Sequence, residues 1–337
     1  FLFKEDARAL DQIIPIIIEN LEASNYSDKI FNLTLLILED YFKSRKPFNT
    51  STIDYISPAL NLLKTIKNFK KVKITFSKLE RENYIHLIDD LKIPFTSYSQ
   101  ASKNNFRKTK IDSIYISSIL NQISLPYSLE KNKLNFVSAD SSVINSGFLY
   151  MNQRKKGKYL FSKDVEKIKP IRLNAKNICL IFSPGRCGST LVSNILRQIN
   201  IASISECDAL TQAEDNKTAI KRIVESFFSS QLINSDKISF KFRAYTCKFI
   251  RVYLEVFPEA TFVFIKRSPL DWAQSCSSKF KWSAIKMLET YKYAHESYEI
   301  LASSKAELLL LDYDNLEKWP TKPTNSKNLL EKNLFTK

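Results

Sequence analysis

The stretch Ile178-Cys179-Leu180-Ile181-Phe182-Ser183-Pro184-Gly185-Arg186-Cys187-Gly188-Ser189-Thr190-Leu191 decides how this chain is read. Five apolar residues followed by turn residues suit a buried strand. The whole chain of 337 residues contains only four glycines (Gly147, Gly157, Gly185 and Gly188), and two of them fall in this loop. Such sparing use points to a backbone requirement there, either positive φ or close approach of a ligand. Apolar positions then return at helical spacing from Leu191 to Ile199, with Ser189 and Thr190 at the helix start. Strand, glycine turn and helix start together can hold an anion. The first N–H groups of a helix lack partners, and its dipole favours negative charge. The two hydroxyls and the always-charged Arg186 add donors suited to phosphate or sulfate. The same spacing also fits an ordinary strand–turn–helix link.

Working outward, the downstream half alternates short apolar runs with longer amphipathic segments. Strands are predicted at Ile238–Phe242, Thr261–Ile265 and Leu308–Leu311. Helices are predicted up to Tyr253, after Pro269, and over 284–303. Strands alternating with helices imply a parallel sheet covered on both faces. The upstream half reads as mainly helical, with helical spacing over 5–24, 27–45, 51–68 and 82–92. A short strand at Lys73–Phe76 and a hairpin over 145–162, turning at Lys156-Gly157, complete it. The polar stretch 163–176 is the candidate boundary. It divides a mainly helical region, 1–170, from an α/β domain, 171–337.

The loop is not that of an ATPase. The pattern GxxxxGK[ST] demands a lysine before the hydroxyl residue, and Gly188 stands there. The apolar run Phe262-Val263-Phe264-Ile265 ends in Lys266-Arg267 rather than in an acidic residue to hold magnesium. No metal is expected at the site.

Ser183 to Leu191 resembles the 5′-phosphosulfate loop of the sulfotransferase superfamily, P-[KR]-[ST]-G-[ST]-T. It is closest to the R-S-G-S/T-T-L branch of tyrosylprotein and carbohydrate sulfotransferases. Cys187 replaces the usual serine, and Gly185 intervenes between Pro184 and Arg186. A second stretch, Phe262 to Ser275, resembles the superfamily's 3′-phosphate motif. There an arginine ends a strand, x-P-x-D follows, and a serine comes eight residues after the arginine. Arg267, Pro269, Asp271 and Ser275 fall in register. A local ion pair between Arg267 and Asp271 is the plainer alternative.

The resemblance covers roughly residues 177–320. It implies a P-loop-like three-layer domain that binds 3′-phosphoadenylyl sulfate and releases adenosine 3′,5′-bisphosphate. Gly185, Arg186, Cys187, Gly188, Ser189, Thr190, Arg267 and Ser275 would bind the donor. Glu206, placed where the tyrosylprotein-like branch carries its catalytic glutamate, would be the general base, with Asp208 as fallback. Lys241 would act with Arg186 on the bridging oxygen. Phe242-Arg243 stands where the family has Thr-Pro or Asp-Pro, so Arg243 shares that candidacy. Leu310 to Leu316 resembles the family's Y-[ED]-x-L segment, a structural marker. The acceptor, a hydroxyl or amine, is not specified by these residues.

Bulk properties fit a globular protein, with 44% hydrophobic and 26% charged residues. Net charge is +16 and evenly spread, with 27 Lys+Arg against 18 Asp+Glu in residues 1–170 and 24 against 17 beyond. The basic clusters, such as Lys70-Lys71-Val72-Lys73 and Arg154-Lys155-Lys156-Gly157-Lys158, are short. An anionic cosubstrate is therefore the expected partner, and nucleic acid is not. A divergent kinase, or a basic RNA-binding protein on the same scaffold, are the rival readings. Five cysteines without a CxxC pair, and only two histidines, support neither a zinc site nor a disulfide framework. A reducing, cytoplasmic setting is expected. The chain starts at Phe1, so an upstream leader stays open. No apolar run reaches the roughly 20 residues of a membrane span.

Overall fold

The computed structural model describes residues 73–75, 86–92, 100–111, 113–115, 122–144, 147–168, 170–171, 173–228 and 237–316. The helices expected over 5–24, 27–45 and 51–68 lie outside the described residues. The first elements are β1 (Lys73–Thr75), β2 (His86–Leu91), β3 (Phe106–Lys110), β4 (Ser113–Tyr115), β5 (Gln122–Glu130), β6 (Lys133–Asp140), α1 (Leu149–Lys156) and β7 (Tyr159–Asp164). There follow β8 (Ile178–Phe182), α2 (Ser189–Gln198), β9 (Ala202–Ser205), α3 (Asp208–Gln212), α4 (Lys217–Phe228) and β10 (Ile238–Lys241). The last are α5 (Ile250–Val256), β11 (Thr261–Lys266), α6 (Pro269–Phe280), α7 (Ala284–Ser303), β12 (Glu307–Asp312) and α8 (Tyr313–Leu316).

The apolar run that opened the reading is β8, the middle strand of a five-stranded parallel sheet of order β12-β11-β8-β10-β9. Its residues alternate between two cores. Leu180 and Phe182 pack with Phe240, Phe262 and Phe264, and Phe182 stacks on Phe242 with ring centres 4.6 Å apart. Cys179 and Ile181 turn the other way, to Val192, Leu196, Val263, Ile265 and Trp272. A strand buried on both faces needs no polar alternation, and this is why the run reads as continuous.

The second sheet is antiparallel, with order β3-β2-β7-β6-β5, and β1 pairs with β4 apart from it. Ile123, Leu125, Leu134 and Phe136 share one buried cluster with Leu180 and Phe240. The apolar core therefore runs without a break from this sheet to one face of the parallel one.

Two upstream expectations are corrected. The helix expected over 82–92 is the strand β2, which pairs with β3 and β7 and carries an irregularity between Ile88 and Asp90. Ladder bonds on both sides outweigh a helical spacing of apolar residues in so short a segment. The hairpin expected over 145–162 is the helix α1 followed by β7. That helix buries Leu149 and Tyr150 but also Gln153 and Arg154. Gln153 Nε2 donates to the Leu125 and Pro126 carbonyls at 3.2 and 3.1 Å, and Arg154 Nε donates to the Tyr127 hydroxyl at 2.8 Å. Polar residues on a buried face leave no hydrophobic period to read. The described part of residues 1–170 is thus mainly strand, not mainly helix.

Parallel strands all end at one edge. The ends of β8, β9, β10 and β11 and the segments after them gather there, and they carry the candidate donor-binding and catalytic residues.

Candidate functional site

The loop after β8 has the backbone its glycines suggest. Gly185, Arg186 and Gly188 have φ of 80°, 53° and 75°. Gly188 caps α2 without any side-chain hydrogen bond, and its carbonyl accepts from Leu191 and Val192 at 2.9 and 3.2 Å. The loop's other carbonyls are held from behind. Trp272 Nε1 donates to the Gly185 carbonyl at 2.9 Å, and Arg267 Nη1 donates to the Arg186 carbonyl at 2.9 Å. The N–H groups of Arg186, Cys187, Gly188, Ser189 and Thr190 have no acceptor among the described residues. Left-handed residues followed by a helix start make such a run a nest for an anion. The Cys187 side chain lies in the core, where burial pushes its thiol well up, so this residue offers the nest its N–H alone.

The second stretch closes on this loop. Pro269 opens α6 at a position where a missing N–H costs nothing, and Arg267 sits between β11 and that helix. Arg186 Nε donates to Ser275 Oγ at 3.2 Å, joining residues far apart in sequence. Arg186 also lies over the Phe280 ring at 5.6 Å, and Arg267 over the Tyr313 ring at 4.3 Å. Arg267 Nε is buried and has no partner, and Arg267 forms no ion pair with Asp271 among the described residues. A guanidinium oriented by a ring and a carbonyl, with one donor left over, can accept a further oxyanion.

The third group follows β9 and β10. Glu206 is left-handed at φ 55°, and its N–H donates to the Lys241 carbonyl at 2.8 Å, one step past the β9–β10 ladder. Lys241 is 2% exposed, and its Nζ donates to Glu206 Oε1 at 2.8 Å and to Thr190 Oγ1 at 3.4 Å. Lys241 thereby links the carboxylate to the loop helix. Arg243 Nε lies 3.6 Å from Glu206 Oε2, and Arg243 Nη2 lies 2.7 Å from Asp208 Oδ1. Asp208 is 1% exposed, and its Oδ2 accepts from the Ala101 N–H at 2.6 Å. Burial pushes the Asp208 carboxyl up to about 6, against the opposing pull of Arg243. Oδ1 faces Arg243 without a hydrogen bond, and with almost no exposure Asp208 is poorly placed to meet a substrate. Glu206, 17% exposed, keeps some access.

The structure therefore brings Gly185 through Thr190, Arg267, Ser275, Glu206 and Lys241 to one sheet edge. It also adds residues that sequence reasoning missed. Trp272 stood inside the second stretch, and Tyr313 inside the segment read as a structural marker. Gly147 stood out only as one of four glycines and Tyr150 not at all, because nothing local ties either to the loop after β8. A Cβ on Gly147 would stand 3.3 Å from Thr190 Cγ2, and the Tyr150 ring lies 4.3 Å under the Arg243 guanidinium. No protein-family model matches the chain, and no curated protein is a significant match. What fold and site define together is an α/β protein with a run of unpaired N–H groups and a Lys241–Glu206 ion pair at the carboxyl edge of its parallel sheet.

Proposed function

We propose that this protein transfers a sulfuryl group from 3′-phosphoadenylyl sulfate to an acceptor hydroxyl or amine. The observation that carries the reading is a set of donors without acceptors of their own. These are the five loop N–H groups and Arg267 Nε, held together by the Arg186–Ser275 hydrogen bond. Residues Gly185 to Thr190 would hold the 5′-phosphosulfate, and Arg267 with Ser275 the 3′-phosphate. The strand order, with the nest after the middle strand, supports a P-loop-like architecture.

The donor supplies an activated sulfur–oxygen bond whose cleavage releases adenosine 3′,5′-bisphosphate. The chain's own residues align and neutralise. Glu206 takes the acceptor's proton as the new S–O (hydroxyl) or S–N (amine) bond forms and the donor's bridging S–O bond breaks. Lys241 and Arg186 neutralise the oxygen that leaves with the nucleotide. Lys241 touches both Glu206 and Thr190, so one ammonium group serves the base side and the donor side together. The region upstream of β8 contributes to acceptor choice, a reading supported by Gly147 against Thr190 and Tyr150 against Arg243.

A thermal-shift comparison tests the donor. Adenosine 3′,5′-bisphosphate without metal should stabilise the protein more than ATP with magnesium. A larger shift with ATP–magnesium would sink the reading in favour of a kinase. Glu206→Gln separates enzyme from binding protein: turnover should fall while donor affinity stays. Indifference to that change would favour a non-catalytic, RNA-binding use of the scaffold.

A further inference from the structure

Glu206 has two carboxylate oxygens and two cations. Lys241, on Oε1, belongs to the parallel sheet and to the proposed chemistry. Arg243, on the Oε2 side, has a different set of attachments. Its Nη2 lies 2.7 Å from Asp208 Oδ1, and Asp208 Oδ2 is fixed in turn by the Ala101 N–H at 2.6 Å. Its guanidinium lies over the Tyr150 ring at 4.3 Å. Arg154 also lies by that ring, 5.1 Å from the centroid, and its Nε donates to the Tyr127 hydroxyl. Ala101, Tyr127, Tyr150 and Arg154 all come from the half of the chain that carries the antiparallel sheet. Glu206 itself is a non-glycine residue held at φ 55°, a conformation that persists only where the surroundings over-determine it.

We propose that Asp208 and Arg243 form a strut that fixes the orientation of the Glu206 carboxylate, so that the antiparallel-sheet half positions the base of the parallel-sheet half. Arg243 and Asp208 are positioning residues in this account, and neither touches the reacting atoms. The planar guanidinium suits the task. It presents Nε toward one carboxylate and Nη2 toward the other, a division that a lysine ammonium cannot reproduce at the same spacing. Lys241 alone would leave Glu206 free to swing about the single Oε1 contact.

The inference rests on the proposed function for the role of Glu206, and its test keeps the two apart. Crystals of the full chain and of Asp208→Asn, both soaked with adenosine 3′,5′-bisphosphate, give the comparison. In the parent chain the nucleotide should sit on the loop, with Glu206 in one rotamer contacting both cations. In Asp208→Asn the nucleotide should bind unchanged, the Lys241 contact should persist, and the 3.6 Å approach of Arg243 to Glu206 should be lost as the carboxylate populates a second rotamer. Where Asp208→Asn does not fold, Arg243→Lys keeps the charge and should show the same loss. A single, unmoved Glu206 rotamer in the folded variant overturns the strut. A parent crystal whose loop takes up no nucleotide overturns the proposed function itself, and with it the purpose of the strut.

Discussion

The two sides of this site differ in how their polar groups are satisfied. Around Gly185 to Thr190, carbonyls are bonded from behind by Trp272 and Arg267 while five consecutive N–H groups are left without acceptors. Around Glu206, linked to the loop through Thr190, two acids and two bases stand in ion-pair contact, although Asp208 Oδ1 and Arg243 Nε and Nη2 make no hydrogen bond. Buried donors without acceptors, such as Arg267 Nε, are costly, and open N–H groups at a helix start leave room for a ligand's acceptor. A matched set of charges marks a place where geometry is fixed before the ligand arrives. On the proposed function, the first side would receive the anion and the second would hold a base and a cation in register beside it.

Breaking the matched side should give the largest effect. Glu206→Gln should lower turnover by roughly 10²–10⁴-fold, the usual worth of a positioned general base, with donor affinity unchanged. Steady-state rates alongside calorimetric donor binding would check both halves of that statement.

A pH series sharpens the contrast, because one acid of the matched set is buried beyond what its partner offsets. Burial raises the Asp208 carboxyl from 3.8 to about 6, with Arg243 and Arg154 opposing and Glu206 adding to the rise. The protonated acid is then the form that folding favours. Its contribution to stability is present below 3.8 and is lost as pH rises through about 6. That contribution should be on the order of 2–3 kcal/mol. Urea unfolding across that window should show the decline in the parent chain, and a flatter profile in Asp208→Asn.

The unsatisfied side should respond in affinity. Arg267→Ala removes the buried Nε and the brace on the Arg186 carbonyl, and should weaken adenosine 3′,5′-bisphosphate by about 10–100-fold, the range for losing a charged hydrogen bond. Direct titration of the nucleotide reads it. The smallest change is expected from Gly188→Ala, since an alanine at φ 75° costs about 1–2 kcal/mol. Thermal unfolding without ligand would report that strain separately from binding.

Much of the parallel-sheet half was legible in the sequence, for reasons that can be named. Its inner strands β8, β10 and β11 are buried on both faces and its helices on one, so β8, β11 and α7 announce themselves as runs and periods. Gly185 and Gly188 stood out because the chain uses glycine so little. The antiparallel half was misread where burial was not apolar. Gln153 and Arg154 face inward through hydrogen bonds, and β2 takes its form from neighbours distant in sequence. The strut was invisible for the same reason: Ala101, Tyr150, Asp208 and Arg243 are joined only by folding, and no local spacing links them. Asp208 in particular read as a spare base, and its burial against the Ala101 N–H gives it a different place.

The most direct test of the account is a calorimetric titration of the full chain with adenosine 3′,5′-bisphosphate, run without metal and repeated with ATP and magnesium. The bisphosphate should bind saturably at one site per chain, tighter than ATP–magnesium, and Arg267→Ala should weaken it. Tighter binding of ATP–magnesium, or bisphosphate binding indifferent to Arg267, would contradict the account.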